Sequence, residues 1–218
     1  MNRLPKFRYA LPLAGSIALA AAFPLVAQQS VSLPGQVELS RVEAGTYAAD
    51  PNHTLVGWRV NHFGFNDYFG LFGNIEGTMT MDPANISDAE FEIMVPIAQV
   101  TVASEGLKEH LLRAGKDGAS PDFFGPEPGM ATFTSTSVRQ ASDTTAVVSG
   151  MLDMNGKSGP VTMRVEFTGA GKNPFNNKDT VGFHARAIID RTDWGINYGQ
   201  GLVGNDVELT ISAAFEKQ

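Results

Sequence analysis

The sequence predicts an all-β, antiparallel domain on three observations. Four stretches alternate apolar and polar residues at the strand period, turn-forming residues punctuate them, and helices do not recur between them. In residues 56–62 the inward set is Val56, Trp58 and Val60, and in 89–95 it is Ala89, Phe91, Ile93 and Val95. In 161–168 it is Val161, Met163, Val165 and Phe167, and in 207–216 it is Val207, Leu209, Ile211, Ala213 and Phe215. So apolar a face has to be buried, against either a second layer or the far wall of a closed barrel. A barrel has room for an apolar ligand in place of part of its core.

Taken in order, the chain opens with Arg3, Lys6 and Arg8 before an apolar run from Tyr9 to Phe23; Leu25, Val26 and Ala27 then form a boundary before Gln28. Residues 1–27 read as a cleaved secretory signal. The run is shorter than the roughly 20 residues that span a bilayer, and Pro12, Gly15 and Pro24 interrupt it, so no transmembrane anchor is expected after cleavage. The chain has no cysteine, which excludes disulfides, thiol nucleophiles and a lipidated N-terminal cysteine. Export without disulfides fits a bacterial periplasm. Loss of the three basic residues with the signal turns 16 basic against 23 acidic residues into 13 against 23, a formal charge of −10. That balance argues against a nucleic-acid partner.

Residues 28–44 show no sustained period and read as a flexible leader, with the domain occupying 45–218. Asp82 with Pro83, and later Pro96, stop two runs. A single helix is expected over 104–114. Ser104 caps it, Leu107 and Leu111 share its apolar face, Glu109 and Arg113 stand at pairing distance, and Gly115 ends it. Its stripe belongs against the sheet or across one barrel end. Gly156 to Pro160 break 146–154 and 161–168 into a hairpin, and the polar segment 173–179 leads into 181–189.

Nucleotide and catalytic motifs fail on context. Gly199, Gly201 and Gly204 spell GxGxxG, yet NDVELTISAAF follows and alternates as a strand where a dinucleotide site needs a helix. Gly156, Lys157 and Ser158 precede Pro160 and another strand, so the helix N-terminus of a phosphate loop is missing. His53, His62, His110 and His184 form no HExxH or comparable zinc spacing, and no GxSxG elbow occurs. A catalytic residue set and a metal site are therefore not predicted. His62 shares the parity of Val56, Trp58 and Val60, which points it inward at a barrel rim.

Seven blocks then carry a family resemblance. YAADPNHTLVGWRVNHFGF from Tyr47, GLFG from Gly70, KEHLL from Lys108, SPDFF from Ser120, ATFTS from Ala131, GMLDMNGKSGPV from Gly150 and DRTDWGI from Asp190 together resemble the YceI-like family. His53, His62, Phe72, His110, Leu111, Phe123, Phe124, Phe133, Arg191, Asp193 and Gly195 match its recurrent positions. Thr54 stands where the family usually has serine, Glu109 where it is more basic, and Asn155 to Ser158 in place of its usual turn.

The resemblance implies an extended antiparallel lipocalin-like β-barrel of about eight strands, with one short helix capping or flanking it. It implies a periplasmic protein that is not an enzyme and needs no cofactor, and that holds an isoprenoid lipid or quinone for transport, storage or sensing. The residues expected to line that lumen are Val56, Trp58, Val60, Phe72, Phe91, Ile93, Leu111, Phe124, Phe133, Met163, Val165 and Phe183, with His62 at the headgroup. Fourteen phenylalanines and eight methionines suit such a lumen but also a solid core. The residues alone favour the solid core, and only the resemblance reverses that preference. Two other readings stay open: a periplasmic hydrolase or isomerase whose distant His and Asp residues meet, and an interaction domain with a filled interior.

Overall fold

Alternation in the sequence becomes the inner surface of a barrel. A computed structural model, which describes residues 32–218, contains eleven strands and one α-helix. The strands are β1 (Gly45–Ala49), β2 (Leu55–His62), β3 (Asn66–Phe72), β4 (Glu76–Met81), β5 (Glu90–Pro96), β6 (Thr101–Val102), β7 (Met130–Gln140), β8 (Thr145–Met154), β9 (Lys157–Lys172), β10 (Asp179–Asp190) and β11 (Val203–Lys217), and the helix is α1 (Glu105–Leu112). β1, β4, β5, β7, β8, β9, β10 and β11 are neighbours in that order, and β11 returns to β1. This is the expected antiparallel, lipocalin-like barrel of eight strands.

The remaining three strands extend it. β11 pairs with β1 through residues 215–217 and with β2 through residues 203–212. β4 pairs with β1 while β3 pairs with β2, and β5 pairs with β4 while β6 pairs with β3. β1 with β2, β3 with β4, and β5 with β6 are thus three long barrel strands, each interrupted at one level. Where the first leaves the ladder, the Thr54 hydroxyl substitutes for backbone, donating to the Ala214 carbonyl at 3.1 Å and accepting from its N–H at 3.2 Å. The other two interruptions bury Ile75, Ile97 and Val100. Their burial anchors the breaks by hydrophobic packing.

Two ends follow from this topology. The β7–β8 turn, the β9–β10 connection and the start of β1 lie at the first end. At the second lie the β2–β3 and β8–β9 turns, the segment between β10 and β11, and α1, which packs against β6.

Local differences from the sequence reading have identifiable causes. Ser104 does cap α1, its hydroxyl accepting from Leu107 N–H at 3.2 Å, but the helix ends at Leu112 rather than at Gly115. Arg113 is already extended, and its guanidinium reaches Asp122 at 3.0 Å instead of pairing with Glu109. Gly115 serves a tight approach: a methyl group there would overlap the Ala119 carbonyl. The β8–β9 turn is only Asn155 and Gly156, with φ of 54° and 74°, the positive pair that a two-residue hairpin demands. Pro160 therefore lies inside β9. β10 pairs with β9 only from Arg164 onward, so one edge of the strand beside Pro160 is free of a ladder.

The expected signal and its boundary after Ala27 lie outside the described residues. Part of the expected leader is not loose. Gln36 exchanges backbone hydrogen bonds with Ala170 at 3.0 and 2.9 Å, Val42 is buried, and Leu39 packs on the core. Burial of these two apolar side chains anchors this stretch although it shows no sustained period.

Candidate functional site

Directly opposed residues of an antiparallel pair share a face, so the strand register defines the lumen wall. Trp58 stands between Leu209 and Gly70, Val56 between Ile211 and Phe72, and Val60 between Val207 and Tyr68. Phe91 opposes Met79, Ile93 opposes Phe133, and Met163 opposes Val148. Val165 lies between Ala146 and Ala185, while Phe183 lies between Phe167 and Ala213. Ten of the twelve expected lining residues thus occupy one continuous inner face. Leu111 and Phe124 come from outside the sheet: Phe124 N–H donates to the Leu111 carbonyl at 3.0 Å, and its ring meets Phe72 edge-on at 6.3 Å.

Small residues accommodate the large ones. Gly70 lies under the Trp58 indole and Gly150 under the Phe133 ring, and a methyl group at either position would overlap the aromatic side chain. Val56, Trp58, Val60, Phe91, Ile93, Met163, Val165 and Phe183 are nevertheless only half-buried, although they face the inside of a closed sheet. A solid, close-packed core would leave few such surfaces.

The lumen is not uniform along its length. Phe91 of β5 meets Phe215 of β11 at 6.4 Å, Phe215 meets Phe183 at 6.1 Å, and Phe183 meets Phe167 at 6.1 Å. This chain of rings bridges the barrel interior. Toward the first end, beside Leu39, Ile86, Met79 and Val148, an apolar space of about 60 Å³ remains. A larger concavity of about 870 Å³ lies outside the barrel, among the outward-facing Arg59, Asp67, Asp190, Asp206 and Glu208. Its arginine is already paired, with Asp67 at 3.0 Å and Glu208 at 2.5 Å.

At the second end, side chains from three segments tie the chain together. Asp122 accepts from His110 at 2.7 Å and Arg113 at 3.0 Å, and these bonds hold its carboxyl below the usual range. The His110, Phe123 and Tyr198 rings form a mutual cluster with centroids 4.8 to 5.4 Å apart. Trp194 donates its indole N–H to the Leu152 carbonyl at 3.0 Å. Arg191, 5% exposed, donates to four carbonyls: Gly204 at 2.8 Å, Ile196 at 2.6 Å, Tyr198 at 2.8 Å and Val203 at 3.1 Å. Burial pushes its guanidinium pKa down from the ordinary value. Gly199 and Gly201, with φ of 68° and 81°, turn the chain directly into β11, which accounts for the GxGxxG string.

The histidines do not converge. His53 pairs with Asp50 at 2.6 Å, His110 with Asp122, and His184 lies on the outer face between Glu166 and Ser212. His62 is half-buried near the second end, its ring stacked on Phe63 at 4.0 Å. Among the described residues no group of three or more histidine, aspartate or glutamate side chains is placed to hold a metal.

The Asp122 cluster predicts an acid sensitivity. Because its folded-state pKa is lowered, it contributes stability that is full above the ordinary value of 3.8 and is lost as pH falls through the lowered value. Thermal melts from about pH 5 to about pH 2 should therefore show a shallower stability loss for Asp122→Asn than for the unaltered protein. Parallel acid limbs would show that this carboxylate does not hold the second end.

Comparison with known proteins adds to the geometry. The family described as YceI-like domain matches residues 47–215. A UPF0312 protein of Pseudomonas putida strain GB-1 is 31% identical over 170 residues, covering 76% of this chain and 82% of the relative. The crystal structure of Burkholderia cenocepacia BcnA superposes with a TM-score of 0.61 at 20% identity, over 76% of this chain and 98% of the other. A polyisoprenoid binding domain from Saccharophagus degradans, implicated in plant cell wall breakdown, superposes at 0.52 with 11% identity, over 81% of this chain and all of the other. At those identities the two structures speak for the fold.

Proposed function

We propose, since this chain belongs to the YceI-like family, that it is a periplasmic protein holding an isoprenoid lipid, a quinone or a polyprenyl chain, in its barrel lumen. Its role would be transport, storage or sensing rather than catalysis. The observation that carries this reading is the inner wall itself: large apolar side chains face inward yet remain half-buried within a closed sheet. Such a surface retains hydrophobic free energy that an apolar chain releases on entry, about 0.8 kcal/mol per buried methylene. A long tail is then held with few polar contacts. The name of the Saccharophagus domain, polyisoprenoid binding, supports the same ligand class.

The space of about 60 Å³ toward the first end is too small for such a tail, so the reading requires the Phe91–Phe215–Phe183 bridge to turn aside when lipid enters. His62 is the proposed headgroup contact, because it is the last residue of β2, at the second end, and shares the inward parity of Val56, Trp58 and Val60. Negative charge disfavours a nucleic-acid partner, and the basic-then-apolar start of the chain supports export.

Native mass spectrometry of protein purified after export, followed by organic extraction, tests the proposal. An isoprenoid quinone or polyprenyl compound is expected to remain bound, because an apolar lumen releases a long tail into water reluctantly. A lipid-free protein that also takes up no supplied long-tailed quinone would favour a filled-core interaction domain. Retained lipid with no effect of His62→Ala would leave the carrier standing and remove the headgroup assignment.

A further inference from the structure

One buried polar atom in the lumen wall has no use in the fold. Among the described residues, Trp58 Nε1 is the buried side-chain nitrogen or oxygen without a hydrogen-bond partner. The indole of Trp194 provides the contrast, since its N–H is spent on the Leu152 carbonyl. Trp58 is held where it stands by its surroundings: it lies over Gly70, where a methyl group would overlap it, and stacks with Tyr68 at 6.3 Å. Its same-face strand neighbours, Leu209 and Gly70, offer no side-chain acceptor, nor do Val56 and Val60 along β2. An unsatisfied donor in an apolar setting is unfavourable. Phenylalanine would supply an aromatic wall there without that cost.

Resting on the carrier reading above, we infer that Trp58 is the hydrogen-bond donor to a neutral acceptor oxygen of the bound lipid. The oxygen belongs to a group such as a quinone carbonyl, ester or amide. This places one acceptor oxygen of the lipid inside the lumen on β2, deeper than the part of the headgroup that His62 would contact at the rim. The acceptor is uncharged because the same-face neighbours of Trp58, namely Leu209, Gly70, Val56 and Val60, carry no cation. Arg59 points to the outer face and pairs with Asp67 and Glu208, and the Arg191 guanidinium is taken up by four carbonyls. An ionised phosphate beside Trp58 would lose its hydration and gain no counter-charge. A single neutral donor suits a carbonyl oxygen, which needs direction more than charge.

The test compares two probes of similar apolar character, a long-tailed benzoquinone and the hydrocarbon squalene, on the mature protein and on Trp58→Phe. The chain has two tryptophans, so an amide-correlation spectrum of the indole region contains two resonances, and the variant assigns one of them. On addition of the quinone the Trp58 indole proton is expected to move downfield, while squalene leaves it near its starting position. Trp58→Phe is expected to weaken quinone binding about tenfold, the effect of one net hydrogen bond, and to leave squalene binding unchanged. If the quinone binds but neither the resonance nor the affinity responds, the donor assignment is overturned and the carrier reading survives. If neither probe binds, the carrier reading fails and this inference fails with it. A polyprenyl phosphate that shifts the Trp58 resonance and binds more weakly to the variant would overturn the neutral-acceptor assignment.

Discussion

Replacing Arg191 by methionine is expected to destabilise the protein by about 4 kcal/mol, lowering its melting temperature by roughly 10 °C. Arg191 is 5% exposed and its guanidinium donates to the carbonyls of Ile196, Tyr198, Val203 and Gly204, so it stands where a secondary-structure ladder would otherwise satisfy the chain from β10 into β11. Methionine keeps the length and apolar stem but leaves those carbonyls without their donor. Because Tyr198 and Trp194 belong to the same segment, its loosening also releases the contacts to His110, Phe123 and Leu152. Arg191→Lys should fall between the two, since an ammonium cannot reproduce the planar fork. Thermal unfolding of the three proteins decides the matter, and a methionine variant melting within about 2 °C of the unaltered protein would deny Arg191 this role.

The Arg191 clamp shows which part of this protein the sequence makes legible. Alternation is written directly into residue order, so the inward sets of β2, β5, β9 and β11 agree with the register. β3 is harder: Tyr68, Gly70 and Phe72 face inward, but Phe69 and Leu71 are exposed on the other side and equally apolar. There, period alone does not distinguish the faces. The breaks that turn six short strands into three long ones are also hidden, because their logic is distant. Thr54 bonds a residue 160 positions away.

Clusters at the second end were legible as residues but not as roles. Family likeness marks His110, Phe123 and Arg191, yet a carbonyl-binding arginine leaves no spacing signature, since its partners are backbone atoms whose side chains vary freely. The end of α1 failed for a related reason. Gly115 looks like a stop signal, but the backbone is already extended at Arg113, whose guanidinium reaches Asp122 across the loop. Parity puts Trp58 on the inner face, as the register does; its unpartnered nitrogen becomes visible only when every neighbour is in place.

Placing a carboxylate on the inner wall is expected to abolish lipid retention, and Phe91→Asp and Met163→Asp are the substitutions that show it. Both side chains face the lumen, opposite Met79 and Val148 respectively. An aspartate at either position stands among hydrocarbon without a counter-ion, so it either draws water into the lumen or forfeits its charge, and both exclude an apolar tail. Phe91→Asp also removes the ring that reaches Phe215, for a stability cost of about 3–5 kcal/mol. Three milder variants separate loss of binding from loss of fold. Phe91→Leu keeps the wall apolar while shortening the bridge, and should retain lipid at a cost of about 1 kcal/mol. Glu92→Ala and Arg164→Ala lie one residue away on the exposed outer face and should change stability by about 0.5 kcal/mol or less. Extracted lipid per mole of folded protein is the measurement. Equal retention by the inward aspartates and the outward alanines would mean that the lipid does not occupy the barrel, because a carboxylate on the inner wall would then leave it undisturbed.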